Sequence, residues 1–455
     1  MRDRIQEYLT TAGEQIRWNL ARPPLLAELE DHLRSEAEAA EAAGLDAEAA
    51  QSEAIRQMGD PVLIGQGLDR VHRPRPQWGL LGLTLIVAAA ATVLRVVLTE
   101  DWIYYGVVFL GNDRGLCCLA LFLGAAALLA GYFLDASFLL RQGRVLFPAA
   151  LVLGLVLLSY RSPLYRPAYY GGNLLFLCFP SLYAGWVCAW KGRRRPGFAL
   201  SAAGIPAALI VCRLEKYSFS HGLGTYLLMT SVLAVLLVCL TWHDWFALGQ
   251  SRSRRIAVGL ILVSCCSLLY LVSRFSIPHS LVILIHPERY ADSYGYTPAL
   301  IRDMLHGVRW FGPADWSGPY PSEMAELVLP NGGNTFFLAT VLRKCGWLPF
   351  ILLAGGLLGL TGWLLIRGLR QPSLPMRALV LSVALPLFAY SVCSVLENLG
   401  FLWLFVTLPL MGSNSILATQ MALIGLALSA FRREGLPYSS VERRQAAGAE
   451  PPVSV

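Results

Sequence analysis

The sequence predicts an all-α protein: about ten transmembrane helices preceded by a small soluble helical domain. Three observations predict it. Of the 455 residues, 55% are hydrophobic and 15% charged, with mean hydropathy +0.52, which suits a polytopic membrane chain. Apolar runs of membrane-spanning length recur from residue 79 onward. Charge is also unevenly divided. Residues 1–72 hold seven Lys and Arg against fourteen Asp and Glu, about −7, while the whole chain carries +7, which leaves about +14 for the rest. That excess lies in short loops between apolar runs, where it sets topology. No basic nucleic-acid-binding motif accompanies it, so no nucleic-acid partner is expected.

Residues 1–72 read as a cytoplasmic helical domain. Arg4 to Arg17 has amphipathic spacing. Pro23-Pro24 opens a second helix that carries Leu25, Leu29 and Leu33 on one face and stops at Gly44. Asp46 is placed to cap a third, which ends near Met58-Gly59, and Asp60-Pro61 has the cap-then-proline form that starts a fourth. The motifs Glu28-Leu-Glu-Asp-His-Leu33 and Met58-Gly-Asp-Pro-Val-Leu-Ile-Gly65 resemble the permease-prefix domains that precede membrane domains in Gram-positive bacteria. His32 fits a helix surface or a packing position better than a ligand set. The polar N-terminus does not have the form of a cleavable signal peptide.

A basic, proline-containing linker (73–78) leads to the spans, placed near 79–98, 115–134, 145–160, 173–190, 196–213, 223–241, 255–274, 346–366, 376–397 and 413–431. Pro148 and Pro206 blur the ends of the third and fifth. Every even-numbered span is followed by a basic cluster: Arg141 and Arg144; Lys191 and Arg193–Arg195; Arg252, Arg254 and Arg255; Arg367, Arg370 and Arg377; Arg432 and Arg433. By the positive-inside rule these loops, and both termini, lie in the cytosol of a bacterial cell. The tail 436–455 is polar and reads as disordered. The ten Cys sit mostly in apolar runs, at neither metal-ligand spacing nor that of a secreted disulfide framework. No metal or cofactor is expected.

One long polar interruption, 276–345, falls on the outer side, and chemistry is best sought there. It holds aromatics such as Tyr290, Tyr296, Trp310 and Phe311, and acids at Glu288, Asp292, Asp303, Asp315, Glu323 and Glu326. His279, His286 and His306 are not spaced as metal ligands. Within the spans charge is scarce. Arg95 lies near the outer end of the first and can snorkel, and Glu397 lies near the outer end of the ninth, where hydration and function are both open to it.

Several fragments resemble the SEDS proteins (shape, elongation, division and sporulation; the FtsW/RodA/SpoVE group). Where that family has Gln-Pro-Ser-Glu-x-x-Lys, this chain keeps Pro180 and Ser181, with Leu182 for the acid and Gly185 for the lysine. Where it has Pro-Asp-Leu-Gly-Thr, Leu223, Gly224 and Thr225 remain and Gly222 replaces the acid. Gly295-Tyr296 matches a Gly-Tyr that precedes a helix. Leu329 and Pro330 match a Leu-Pro-Glu, with Asn331 for the acid, and Thr335 falls on the aspartate the family uses in catalysis. Arg343-Lys344 replaces an acidic pair before Gly346. Asn398-Leu399-Gly400 matches Asn-Ile-Gly, and Leu408-Pro409-Leu410-Met411-Gly412-Ser413 is a shortened relative of the next motif.

The resemblance covers about residues 80–435. It implies a ten-helix membrane domain (79–435) acting in cell-wall synthesis, cell division and cell shape. It further implies that lipid II, the lipid-linked peptidoglycan precursor, is polymerised beside a transpeptidase (a penicillin-binding protein) or another divisome or elongasome protein. Pro180, Ser181, Gly224, Thr225, Leu329, Pro330 and Asn398 are then the substrate-binding positions. What is kept sets backbone shape; what is lost is charge. Glycosyl transfer to a hydroxyl needs a group that takes its proton, and a threonine hydroxyl does not do so near neutral pH. Two variants follow: an active enzyme with a displaced base, for which Glu326 is nearest in sequence and Asp292, Asp303, Asp315 and Glu323 are further candidates, or a non-catalytic homologue. Two other classes stay open. One is a transporter or flippase of a lipid-linked precursor, against which the acid-poor spans and missing inverted repeat speak. The other is a sensor or scaffold that signals through the N-terminal domain.

Overall fold

The structure is a computed structural model. It describes residues 4–18, 21–73, 76–98, 102–104, 107–109, 114–134, 136–159, 166–214, 223–274, 285–290, 295–315, 336–402, 408–410 and 414–432. The chain divides into two compact units, Met1–Gln77 with Phe431–Val455, and Trp78–Ala430.

Among the described residues, the first unit is four helices: α1 (Arg4–Glu14), α2 (Arg22–Ala42), α3 (Ala47–Met58) and α4 (Pro61–His72). Asp46 accepts from Ala49 N at 3.2 Å and Asp60 from Val62 N at 2.9 Å, so both expected caps form. Ile5, Tyr8, Leu9 and Ala12 of α1 meet Leu29 and Leu33 of α2 in the core. Helix α1 ends three residues before the expected Arg17. The reason is competition for its backbone. Arg22 donates twice to Ile16 O (2.8 and 3.3 Å), and the buried Asp69 accepts from Arg17 N at 3.0 Å and from Arg73 Nε at 3.2 Å. His32 is exposed, 3.9 Å from Glu36 on the same helix face.

The second unit, among the described residues, is a bundle of ten long helices: α5 (Trp78–Leu98), α6 (Arg114–Phe133), α8 (Gly143–Ser159), α9 (Arg166–Cys188), α10 (Arg194–Leu214), α11 (Leu223–Trp242), α12 (Gln250–Arg274), α15 (Trp347–Leu369), α16 (Leu374–Asn398) and α17 (Asn414–Phe431). They overlap the ten expected spans one for one, with ends that differ by up to seven residues, most at the start of α9 (166 against 173). Helices α5, α15 and α16 are each long and apolar enough to cross a membrane. Ile86, Phe122, Val152, Leu262 and Leu352 point out of the bundle, a surface that only lipid covers without penalty. Pro148 and Pro206 lie inside α8 and α10, each removing one helix hydrogen bond. Helix α16 is the most enclosed of the three and packs against α15, α11 and α9.

Among the described residues, shorter elements also lie beyond the span pattern, including a short 3-10 turn at Pro287–Tyr290. An antiparallel hairpin pairs β1 (Trp102–Tyr104) with β2 (Val107–Phe109). Helix α7 (Ser137–Arg141) fills the turn before α8, α13 (Tyr296–His306) follows Gly295, and α14 (Phe337–Cys345) precedes α15. The hydropathy pattern puts the segment containing α14 in the loop outside the bundle. Instead Phe337 to Leu342 are buried, and α14 packs on α5, α15 and α16.

At the basic end of the bundle, Asp244 adopts φ 54° and accepts from Leu248 N (2.8 Å), Gly249 N (3.1 Å) and Ser253 Oγ (2.5 Å), which fixes the α11–α12 turn. Arg144, Lys191, Arg254 and Arg367 stand over Trp190, Trp245, Trp242 and Trp363. Basic groups laid over tryptophan rings suit a membrane interface.

Asp69→Ala strips the acceptor from the Arg17 amide and should cost about 1–3 kcal/mol. Urea unfolding of the full chain, followed by hydrogen exchange in α1 and α4, measures this, and Glu53→Ala should leave the midpoint where it is.

Candidate functional site

Two arrangements hold three of the sequence-predicted positions, Pro180, Ser181 and Asn398. The first lies at the end of the bundle where α16 finishes. Helix α14 starts with Phe336 as its N-cap, which supplies no side-chain acceptor, so the amides of its first turn need partners from elsewhere. Asn398, fully buried, provides one: its Oδ1 accepts from Ala339 N at 2.8 Å. Its Nδ2 donates to Ser394 O at 2.7 Å, which fixes the amide plane. One α16 side chain thus caps a helix 59 residues earlier, and that helix begins two residues after Thr335.

The neighbouring contacts extend the same junction. Arg302 of α13 donates to Gly400 O at 3.0 Å and lies over the Phe401 ring. Gly400 has φ +73°, and a Cβ there would stand 3.0 Å from Arg302 Cγ and 3.2 Å from Pro298 O, so this turn requires glycine. Lys344 of α14 donates to Leu98 O, the last residue of α5, at 3.0 Å. The Cys345 thiol beside it is pushed up by burial, which outweighs the opposing charge of Lys344. Glu397 is 1% exposed, so it is not the hydrated interfacial acid that its place in the sequence allowed. On α16 it falls about three turns beyond Pro386 and about two beyond Tyr390, which puts the three on one helix face.

The second arrangement is a narrow apolar cleft between α9, α11, α16 and α17. Leu177, Pro180, Met229, Ser382, Pro386, Tyr390 and Gln420 are among its lining residues. Ser382 Oγ donates to Leu379 O at 2.6 Å and stands 3.2 Å from the Oγ of buried Ser181. Gln420 Oε1 accepts from Leu410 N at 2.7 Å, where Leu410 holds φ 61°. The shortened Leu-Pro-Leu motif is therefore tied directly to a residue of the cleft. Sequence reasoning missed Ser382 and Gln420. Polar residues on otherwise apolar spans were the available signal.

Of the predicted substrate positions, Pro180 and Ser181 meet at the cleft and Asn398 at the junction. Gly224 and Thr225 lie in the first turn of α11, with side chains outside the described residues. Leu329, Pro330, Glu326, Thr335, Asp292 and Glu323 lie outside the described residues altogether. Asp303 is half-buried on α13. Asp315 is exposed and paired with Arg309. Among the described residues no group of three His, Cys, Asp or Glu could hold a metal ion. The described parts of the membrane unit therefore hold a capped helix, a narrow cleft lined mostly by apolar groups, and an enclosed acid at Glu397.

No known family model matches the chain, and no curated protein matches it. Solved structures do. One, described as the structural coordination of polymerization and crosslinking by a peptidoglycan synthase complex, is similar at TM-score 0.53 and 19% identity, over 80% of this chain and 98% of that one. Crystal structures of the Thermus thermophilus rod shape determining protein RodA and of an aspartate-to-alanine mutant of it are each 20% identical over 78% of this chain, covering 96% and 97% of theirs, at TM-scores 0.47 and 0.48. At these identities the likeness is one of fold.

Asn398→Ala should orphan the Ala339 amide and raise its hydrogen-exchange rate about tenfold or more, the effect of losing about 1–3 kcal/mol locally. Ser181→Ala, which removes one weak hydroxyl contact, should leave that rate unchanged.

Proposed function

We propose that this chain is a SEDS-type protein of bacterial cell-wall synthesis that engages a lipid-linked glycan precursor without polymerising it. The carrying observation is a frame kept without its charge. The fold is similar to that of a chain in a peptidoglycan synthase complex, and Asn398 caps the helix that follows Thr335, while Thr335 occupies the position of the expected carboxylate. Pro180 lines a narrow, mostly apolar cleft, and Ser181 stands 3.2 Å from Ser382 in its lining, a setting that suits contact with the apolar part of a lipid-linked molecule at the bundle surface. On this reading the protein sits in the cell membrane with both termini in the cytosol, and residues 1–72 form a permease-prefix-like module that receives a partner or signal. A transpeptidase is the natural partner, since the similar chain comes from a complex that polymerises and crosslinks.

The test is direct. Purified protein, alone and with a candidate transpeptidase, is given labelled lipid II. No glycan strands are expected. Thr335→Asp should create or raise polymerisation, by ~100-fold or more if only the base is missing. Strands made by the unaltered protein and lost in Glu326→Ala would establish the displaced-base enzyme and overturn the non-catalytic reading.

A further inference from the structure

Trp310 and Phe311 are 66% and 68% exposed, yet they stand on a loop of the membrane unit that is stitched down on every side. The loop is residues 307–315. Its base is closed by Asp315 N donating to Gly307 O at 2.8 Å and by the Arg309–Asp315 ion pair. Its far side is held by Gly312 N to Cys345 O (3.0 Å) and Ala314 N to Arg343 O (2.8 Å). Gly312 adopts φ +85°, the conformation that lets the tip turn.

The same loop sets its own height against the membrane. Trp347 N donates to Arg309 O at 3.0 Å and Leu348 N to Trp310 O at 3.2 Å. These are the first two amides of α15, which lack partners within their own helix. Their acceptors are the backbone carbonyls of the loop. Gly346, at φ +94°, makes the approach feasible: a Cβ there would stand 2.6 Å from Arg309 O and 2.9 Å from Trp310 O. Because α15 is long and apolar enough to cross a membrane, its first turn marks the edge of the apolar slab. A second span end gives the same level, since Lys344, two residues before Gly346, reaches Leu98 O at the end of α5. One turn further into α15, Ile351 and Leu352 already face out of the bundle.

From this we infer that residues 307–315 are an interfacial anchor, with the Trp310 and Phe311 rings seated among the lipid headgroups and upper acyl chains. A lipid surface is the occupant that the geometry specifies. Two large aromatic side chains held at the level of a span end are the composition of a membrane-interface belt, and ring burial there recovers apolar area that water would otherwise cover. The consequence is mechanical. The segment leading into residues 316–335 is pinned at a set depth on one side by α15 and on the other by lipid. This inference is independent of the glycan reading.

The test replaces Phe311 with the fluorescent residue acridonylalanine in the full chain, reconstituted without any partner in nanodiscs of phosphatidylcholine and phosphatidylglycerol. The same probe at Leu63, exposed on the N-terminal unit, is the aqueous control. At 311, a lipid nitroxide near the glycerol end of the acyl chain should quench at least about twofold more than aqueous iodide does, with the reverse order at 63. Iodide quenching at 311 equal to that at 63 would overturn the inference, because the rings would then stand in water. A probe at 311 shielded from both quenchers would also overturn it, in favour of a contact between copies of the protein. The probe at 310 gives a second reading should the first variant fold poorly, judged by its thermal melt.

Discussion

A backbone N–H that leaves water must find an acceptor, and a fold set in lipid has no water to fall back on. Inside the spans the helix itself supplies the acceptors. At the span ends it does not, and this chain brings partners from far away in sequence. Asn398 serves α14, the carbonyls of Arg309 and Trp310 serve α15, and Lys344 finds Leu98 O. These converge at the end of the bundle where α16 finishes and α15 begins. With the Arg302 bond to Gly400 they hold α13, α14 and the turn after α16 as one frame, and that frame flanks the segment on which Thr335 lies.

The frame explains which parts of the molecule can be read locally. Spans are legible because their information is local: an apolar run of the right length must be helical in lipid, whatever its neighbours do. The caps at Asp46 and Asp60 are legible for the same reason, since donor and acceptor are two or three residues apart. The early end of α1 is not legible. It depends on Arg22 and on Asp69, the latter 52 residues from its partner. Helix α14 hides in what reads as a polar loop because Arg343, Lys344 and the stretch before the helix break the hydropathy, yet its apolar face is covered by three spans. Glu397 is ambiguous in the sequence for a related reason. Distance from a span end does not tell burial; the packing around the end of α16 does.

The site was legible in the same partial way. Pro180, Ser181 and Asn398 stand out in the sequence through the resemblance of short motifs, and each occupies an enclosed position in the bundle, with Ser181 and Asn398 hydrogen-bonded there. Their partners, Ser382 and the Ala339 amide, carry no motif, and neither does Gln420, because a span tolerates one hydroxyl or amide wherever a neighbour can bond it. What emerges is a frame with shape and little charge. Set beside the motifs it resembles, the chain keeps backbone-directing residues and has other residues at the acids and the lysine, and the enclosed acid at Glu397 belongs to none of those motifs. On the proposed reading, such a frame serves binding and positioning rather than proton transfer.

Binding of a lipid-linked disaccharide precursor to the full chain in nanodiscs tests this account most directly, because it applies whether or not the chain polymerises. Native mass spectrometry should show saturable uptake that unlabelled precursor competes away and that exceeds the uptake of a bare phospholipid at least about tenfold. Uptake no greater than that of a bare phospholipid, or uptake that unlabelled precursor does not displace, would contradict it.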